Sequence, residues 1–369
     1  MKKLLSALFC LVISILLCGC DLFSQGSYYS VEPHTESGNA ASPGKQTVSD
    51  YGQLRSALSR LVENGSQTGI LYFSDITEEQ AGEYMENAVS YIMWNHPIGA
   101  YAVEDIRYDI GANAGKKAIA LTVSYRHSRG EILRIKRVAD AQEAMDQVIE
   151  ALVDCDETVV FRIPEMEPVD FVQKIRDYVE MNPDQCMELP QVTVSYYPEK
   201  GTERVVEVDF TYQTSRETLR SMQKTVESMF SSAELYVSGD ATDLEKLSLL
   251  YSFLMERFDY TLDTSITPSY SLLRHGVGDS KAFATVYATM CRRAGVDCRV
   301  VSGTRDGNPY YWNVYSNEDV WYHIDLLACS EQAGFSLKHP SELTGYVWDF
   351  SIYPQHTEET VPDETAFTG

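Results

Sequence analysis

The chain has 369 residues, of which 44% are hydrophobic and 11% aromatic, enough for two or three packed domains and unlike a disordered protein. Thirty basic residues against 54 acidic ones give a net charge of -24. A field of that sign repels phosphate backbones and therefore argues against nucleic-acid binding.

The N-terminus has the pattern of an exported protein. Residues 1–19 combine a short basic start with an apolar stretch of secretory rather than membrane-spanning length. No later apolar run reaches the roughly 18 residues that a spanning helix needs. The stretch ends in Leu-Cys-Gly-Cys, with Cys20 as its last residue, and this resembles a bacterial lipobox. The resemblance implies cleavage after Gly19 and a diacylglyceryl thioether on Cys20.

A lipid on Cys20 predicts a protein anchored to the cell membrane, on its extracytoplasmic face. Each buried methylene contributes roughly 0.8 kcal/mol, so two or three acyl chains on one residue anchor the protein stably. A simple cleaved signal peptide and an N-terminal anchor helix are the alternatives. Residues 20–48 have the composition of a flexible tether spanning on the order of 30 Å, and residues 354–369 that of an acidic disordered tail.

Residues 49–232 contain one order of elements twice. A helix, a strand, a helix and two strands are predicted for residues 49–137, and the same αβαββ order for residues 138–232. Three residues of the first unit recur in the second at a constant spacing: Tyr125, Ser128 and Arg129 correspond to Tyr212, Ser215 and Arg216. We attribute them to packing across exposed strand ends. Neither unit contains a catalytic constellation, which favours a structural or recognition role.

A further domain is predicted over residues 240–353. Thr242 and Glu245 have the spacing of a capping box at the start of a helix. A second helix is expected over about residues 280–293, and Gly295 ends it, as a glycine in the left-handed conformation does. Three β-strands are expected to follow.

This domain resembles the transglutaminase-like core domain, whose fold belongs with the papain-like cysteine peptidases. Five stretches carry the resemblance in the family's order: Gly278–Ala284, Arg292–Val296, Val300–Gly303, Tyr310–Asn313 and Trp321–Asp325. The resemblance implies a central helix packed on an antiparallel sheet. The expected fold class is therefore α+β, with tandem αβαββ repeats followed by a transglutaminase-like domain.

The resemblance also implies a site, which this sequence alters. In the family, a cysteine at the helix N-terminus is the nucleophile, a histidine on the neighbouring strand activates it, and an aspartate orients the histidine. Here Ser280 has the cysteine position and Tyr310 the histidine position, and only Asp325 keeps its type. A serine needs a base to remove its proton, and a tyrosine with a pKa of about 10 is protonated at neutral pH. We therefore expect no intact catalytic set.

Three other residues are alternatives for the missing chemistry. Cys291 lies on the same predicted helix as Ser280, His323 lies on a predicted strand near Asp325, and His275 precedes the helix. A core position for Cys291 and structural or surface positions for the two histidines are the simpler interpretations.

Aromatic residues beside the site define a candidate binding groove, formed by Tyr311, Trp312, Tyr322 and His323. Aromatic walls with hydroxyl tips suit peptide or sugar ligands. Alternatively, these side chains fill the space of the lost site and leave no groove.

Cysteines and histidines indicate no further site. Of the eight cysteines, two leave with the signal peptide and Cys20 carries the lipid, so five remain, without the spacing of a disulfide framework. The seven histidines are scattered, and we expect neither a metal nor a cofactor.

The leading functional hypothesis is a membrane-anchored lipoprotein whose inactive transglutaminase-like domain binds a peptide, a peptidoglycan fragment or an envelope protein. One alternative is an active transglutaminase-like or protease-like hydrolase that uses Ser280. The other is a structural envelope scaffold with no ligand groove.

Overall fold

The computed structural model describes residues 46–165, 169–261, 268–317, 320–332 and 334–353. The described residues from Thr47 onward form one compact unit. The predicted signal peptide, Cys20, most of the tether and the acidic tail lie outside the described residues. Within the described ranges, no helix is long and apolar enough to cross a membrane.

The first αβ unit is a four-stranded sheet packed against helices. Its elements are β1 (Gln46–Val48), α1 (Tyr51–Glu63), β2 (Thr68–Phe73), α2 (Glu78–Trp94), α3 (Pro97–Ala102), β3 (Val103–Asn113), β4 (Lys116–Tyr125) and α4 (Arg129–Arg134). The sheet order is β1-β2-β4-β3. Helix α1 begins where Asp50 accepts the N–H of Gln53, and α2 begins at a capping box of Thr77 and Gln80.

The second unit repeats this arrangement. Its elements are β5 (Lys136–Arg137), α5 (Ala141–Val153), β6 (Thr158–Ile163), α6 (Phe171–Met181), β7 (Gln191–Tyr197), β8 (Arg204–Thr211) and α7 (Arg216–Tyr236). The sheet order, β5-β6-β8-β7, matches that of the first unit. The predicted tandem αβαββ order is confirmed, with a short additional strand before the first helix and an additional helix after the last strand of each unit. The first unit also has the short helix α3 before its last two strands.

The recurring tyrosines have a more specific role than exposed packing across strands. The Tyr125 hydroxyl donates to the carbonyl of Ser66 at 2.9 Å, and the Tyr212 hydroxyl donates to the carbonyl of Leu152 at 3.5 Å. Both rings are half-buried. In each unit, the tyrosine ties the end of the last strand to the end of the first helix or the turn after it.

The recurring serines and arginines reinforce the same connection. Ser128 and Ser215 are the N-caps of α4 and α7. Arg129 donates to the carbonyl of Asn64, which ends α1, at 2.9 Å. In the second unit, Arg216 pairs with Asp156, just after α5, at 2.6 Å. The repeat is therefore a set of side-chain ties, and the sequence-based interpretation of simple strand packing is corrected.

The C-terminal domain combines four helices with a second set of strands. Its elements are α8 (Asp243–Met255), β9 (Asp259–Tyr260), α9 (Pro268–His275), β10 (Val277–Gly278), α10 (Ser280–Arg293), β11 (Cys298–Arg305), β12 (Asn308–Asn317), β13 (Val320–Ile324), α11 (Leu326–Glu331), a 3-10 turn (Pro340–Glu342) and β14 (Tyr346–Trp348). Strands β13-β12-β11-β14 form an antiparallel sheet, and β9 and β10 form a separate parallel pair.

Helix α10 packs on one face of the four-stranded sheet. It begins where Asp279 accepts the N–H of Ala282 at 2.9 Å, and it ends before Gly295, whose φ of 80° is left-handed. These bounds and the capping box of Thr242 and Glu245 agree with the sequence-based expectation. The central helix on an antiparallel sheet, implied by the family resemblance, is present.

A small aromatic cluster covers the opposite face of this sheet. Trp312 and Trp348 are its largest members and are almost fully buried. Gly303 pairs with Tyr310 on one side and with Trp348 on the other. A Cβ atom at Gly303 would overlap the carbonyl oxygen of Val347 and lie 2.7 Å from the Trp312 ring. Strand β14 can therefore close over the cluster only because position 303 has no side chain.

We predict that Gly303→Ala destabilises the protein by at least about 2 kcal/mol, because the added methyl must displace β14 or Trp312. Gly111→Ala is the matched control, since Gly111 also lies in a strand but its added Cβ would meet no atom within 4 Å. Urea unfolding of both variants measures the difference. Equal effects of the two substitutions would contradict this account of the sheet.

Candidate functional site

Ser280 is the first residue of α10 and lies at the position expected for a nucleophile. The residue is 9% exposed, and its hydroxyl oxygen accepts the backbone N–H of Tyr311 at 3.3 Å. The helix dipole at this end favours a negative charge. A dipole alone does not remove a proton from a serine hydroxyl, so the site needs a base beside Ser280 for nucleophilic chemistry.

The Tyr310 hydroxyl is committed to Asp325. It donates a hydrogen bond to Asp325 Oδ1 at 2.9 Å, and no hydrogen bond joins it to Ser280 among the described residues. Burial and the neighbouring Asp325 carboxylate raise the pKa of Tyr310 well above its ordinary value. Tyr310 is therefore a hydrogen-bond donor at neutral pH and has no lone pair basic enough to activate a serine.

The Asp325 carboxylate accepts hydrogen bonds from five donors around it. Besides Tyr310, its carboxylate accepts the hydroxyl of Tyr346, the guanidinium of Arg305 at 3.2 Å, and the N–H groups of Leu327 and Ala328 at 3.0 Å each. The last two bonds make it the N-cap of α11. The residue is 4% exposed, and a carboxylate buried so deeply is stable only when it is paired and hydrogen-bonded.

Arg305 and Tyr346 were not identified from the sequence. The Arg305 guanidinium lies 5.4 Å from the centroid of the Tyr310 ring and 5.7 Å from that of Tyr346. Strand alternation could have placed Arg305 on the face of Gly303, two residues earlier. Tyr346 follows an irregular segment, and nothing in its sequence context indicated that it reaches Asp325.

The space between Ser280, Tyr310 and Asp325 is nearly filled. These three residues border one cavity of about 10 Å³, the size of a single water site. Asn313 also borders it, and the Asn313 side-chain oxygen is buried without a hydrogen-bond partner in the described part of the chain. The structure thus brings the three predicted site residues together but leaves no room there for a substrate.

Two of the four predicted groove residues lie in the core. Trp312 is 1% exposed and His323 is 0% exposed, and the Trp312 indole N–H donates to His323 Nδ1 at 2.8 Å. They line no open surface, so the predicted groove is corrected for this pair. Tyr311 and Tyr322 are half-buried.

Lys281 ties the start of α10 to the second αβ unit. Its ammonium pairs with Glu180 of α6 at 2.7 Å and lies 5.3 Å from the centroid of the Tyr311 ring. The backbone N–H of Tyr311 is the group that donates to Ser280. A salt bridge between two domains therefore adjoins the Ser280 site.

The other residues considered for chemistry lie away from the small cavity. His275 is exposed at the end of α9, and no hydrogen bond joins it to Ser280 among the described residues. Cys291 is fully buried in the main apolar cluster with Tyr287. In the described ranges, no group of three or more His, Cys, Asp or Glu side chains is placed to hold a metal ion.

Comparison with known families identifies the fold of this region. The family model of the transglutaminase-like superfamily matches residues 231–326, which include Ser280, Tyr310 and Asp325. The C-terminal domain is thus transglutaminase-like, and the match covers less than half of the chain. No curated protein matches the sequence.

Two solved structures are weakly similar to the chain. One is the crystal structure of a TGase, with 10% identity and a TM-score of 0.25 over 52% of this chain. The other is a candidate protease from Parabacteroides distasonis, with 9% identity and a TM-score of 0.22 over 70% of this chain. The matched regions span 58% and 40% of those two chains.

We predict that His323 makes the protein acid-sensitive. Burial, with a smaller effect of His339, lowers the pKa of His323 to about 4, against about 6.5 in an unfolded chain. Between these values the unfolded chain binds a proton that the folded protein excludes, so this stability is complete above about pH 6.5 and is lost as the pH falls toward 4. The loss amounts to about 2–3 kcal/mol.

Urea unfolding at about pH 7.5 and 4.5 measures this effect. His323→Gln should lose less stability on acidification than the unsubstituted protein, whereas His275→Gln, at an exposed position, should lose as much. Burial also lowers the pKa of His96, so His96 adds to the acid sensitivity of every variant. The effect of His323 is therefore the difference between the variants. An unchanged pH dependence in His323→Gln would contradict the prediction.

Proposed function

We propose that the protein is a lipid-anchored, extracytoplasmic lipoprotein whose transglutaminase-like domain is catalytically inactive and serves as a structural and protein-binding module. The observation that carries the proposal is the hydrogen-bonding of the two substituted positions. The Ser280 hydroxyl accepts a backbone N–H, while the Tyr310 hydroxyl donates to Asp325.

The chemistry supports an inactive domain because both proton-transfer partners are missing. A cysteine thiolate is a nucleophile without a base, but a serine hydroxyl requires one within hydrogen-bond reach. Tyr310 stands where that base would be, and its raised pKa keeps the phenol protonated. Asp325 accepts hydrogen bonds from five donors, and the Ser280 hydroxyl is not one of them.

The size of the cavity supports the same proposal. A pocket that encloses a small-molecule ligand has a volume of roughly 300–1,000 Å³. The cavity at Ser280 has about 10 Å³. An active hydrolase would need this cavity to widen and a base to reach the Ser280 hydroxyl. Binding by this domain would therefore use a surface other than this cavity.

A structural scaffold is the second candidate function. The small cavity at Ser280 and the buried positions of Trp312 and His323 favour it for the transglutaminase-like domain, because they leave little aromatic surface for a ligand there. Under either function, a peptide, a peptidoglycan fragment or an envelope protein would be bound elsewhere on the chain.

The sequence around Cys20 supports the membrane anchor. A basic start, an apolar stretch and Leu-Cys-Gly-Cys occur in the order that lipidation requires. The Ser-, Gly- and Pro-rich residues after Cys20 would let the folded domains stand away from the membrane. A net charge of -24 would repel anionic headgroups and favour that separation.

We predict that the protein neither incorporates dansylcadaverine into casein nor hydrolyses casein above the level of Ser280→Ala, since no base activates Ser280. Ser302→Ala, at an exposed position on β11, controls for copurifying enzymes. Activity of the unsubstituted protein and of Ser302→Ala that disappears in Ser280→Ala would refute inactivity and support the hydrolase alternative.

We predict that Cys20→Ser abolishes metabolic labelling with an alkyne analogue of palmitate and releases the protein from the membrane fraction. Cys18→Ser is the matched control, because it changes a neighbouring cysteine that the lipobox does not use for attachment. In-gel detection of the alkyne after expression in bacteria measures the outcome. A label retained in Cys20→Ser would show that the anchor is elsewhere or absent.

A further inference from the structure

A groove lies between the two αβ units, outside the transglutaminase-like domain. Its volume is about 890 Å³, within the range of cavities that enclose ligands. One wall comes from the first unit and is formed by residues 93–95 at the end of α2, Ala100 and Arg126. The other wall comes from the second unit and is formed by residues 194–197 of β7 and the turn at residues 198–200.

The groove runs along the free edge of β7. This strand is outermost in the sheet order β5-β6-β8-β7 and pairs only with β8. Successive side chains of a strand point to opposite faces of its sheet, yet Val194, Ser195, Tyr196 and Tyr197 all border this one groove. That is expected only where a groove follows the edge of a strand.

The backbone at this edge is free to pair. Among the described residues, no hydrogen bond reaches the outward-facing N–H and C=O groups of residues 194–197. An unpaired edge is a template for another strand, and proteins usually shorten or cover such edges. Strand β7 has seven residues, which is long enough to pair with an extended segment.

Trp94 stands exposed on the opposite wall. Its side chain is 72% exposed at the end of α2, and Met93 lies beside it in the groove. Tryptophan is among the residues that contribute most to binding when a partner covers them. A strand placed against β7 would present alternate side chains toward this wall.

The charges at the groove oppose the charge of the whole chain. Arg126 and Lys200 border it against one acid, Glu199, in a protein of net charge -24. The Arg126 guanidinium is held by the carbonyls of Ala100 and Tyr101 at 3.2 Å each. A fixed cation and a lysine beside a strand edge complement an acidic ligand.

We propose that this groove binds an extended acidic peptide, which adds as a strand to the edge of β7 and covers Trp94. The backbone of β7 supplies the hydrogen bonds, Trp94 supplies apolar contact, and Arg126 and Lys200 select carboxylates. This function goes beyond the one proposed above and does not depend on whether Ser280 reacts or Cys20 is lipidated.

Random peptides of about seven residues, the length of a strand, displayed on phage and selected against the chain from residue 20 onward, test the proposal. The selected peptides should be rich in Asp and Glu, and a fluorescein-labelled copy should bind at least tenfold more weakly to Trp94→Ala. Leu235→Ala is the matched control, because Leu235 is 88% exposed and lies outside the groove, and it should bind normally.

An N-methyl scan of the selected peptide tests strand addition without any change to the protein. Methylation at alternate residues should weaken binding at least tenfold, and methylation at the residues between them should have little effect, because only every second N–H faces β7. Equal effects at all positions, or peptides that bind Trp94→Ala as tightly, would overturn the proposal.

Glycan binding is the competing outcome. If no peptide is selected and soluble peptidoglycan fragments bind in a Trp94-dependent manner, the groove recognises sugar rings and the peptide proposal is wrong. Binding of neither probe, with the unsubstituted protein folded by circular dichroism, would also overturn it. All of these results are independent of the casein and palmitate assays, so this proposal and the proposed function can fail separately.

Discussion

The burial of helix α10 on nearly every side is the constraint on which the C-terminal domain depends. Ser280 and residues 282–291 are all buried, although an amphipathic helix buries only one stripe. The helix therefore needs partners all round: the sheet on one side, α8 and α9 on another, and the second αβ unit at its ends. Glu180 pairs with Lys281 at the first turn, and Glu227 and Glu234 pair with Arg293 at the last. Its buried Thr285 and Thr289 hydroxyls donate to carbonyls one turn earlier, so the helix satisfies its own polar groups.

Under the proposed function, this constraint explains how the site would keep its shape without its chemistry. Ser280 contributes a small side chain that closes against the Tyr311 backbone. Asp325 has structural duties that do not require a histidine: it caps α11, accepts two phenols, and neutralises Arg305. Removing it would take one carboxylate partner from the half-buried Arg305 guanidinium, which also pairs with Glu331, and would leave α11 without its N-cap. The retained aspartate is therefore accounted for by folding alone, and its presence is no argument for catalysis.

The helices and strands of the site could be predicted from residues close in sequence. Which of their side chains are buried depended on residues far away in the chain. The C-terminal end of α10 followed from Gly295, because a left-handed glycine acts within a few residues, whereas its N-cap, Asp279, was not identified from the sequence. The burial of Trp312 and His323 did not follow, because strand alternation assigns them a shared face but cannot say what covers it. Trp348, from the end of the described chain, covers them. Helix α10 contains three Ala and two Thr among its residues, and such small or polar side chains do not mark a buried face in a sequence. Its pattern therefore indicated one apolar face, whereas the fold buries the helix on nearly every side.

The repeated units and the transglutaminase-like domain differ in which of their surfaces a ligand could reach. In each unit, a tyrosine and an arginine tie the end of the last strand to the end of the first helix, and the outermost strand of the sheet is paired along one edge only. Strand β3 in the first unit and β7 in the second occupy that position, and β7 faces Trp94 of the neighbouring unit across the groove. The groove therefore exists only where the two units meet, because the second unit contributes the free edge of β7 and the first contributes Trp94. In the C-terminal domain, by contrast, the tryptophans Trp312 and Trp348 are buried. The cavity at Ser280 measures about 10 Å³, whereas the groove between the repeats measures about 890 Å³.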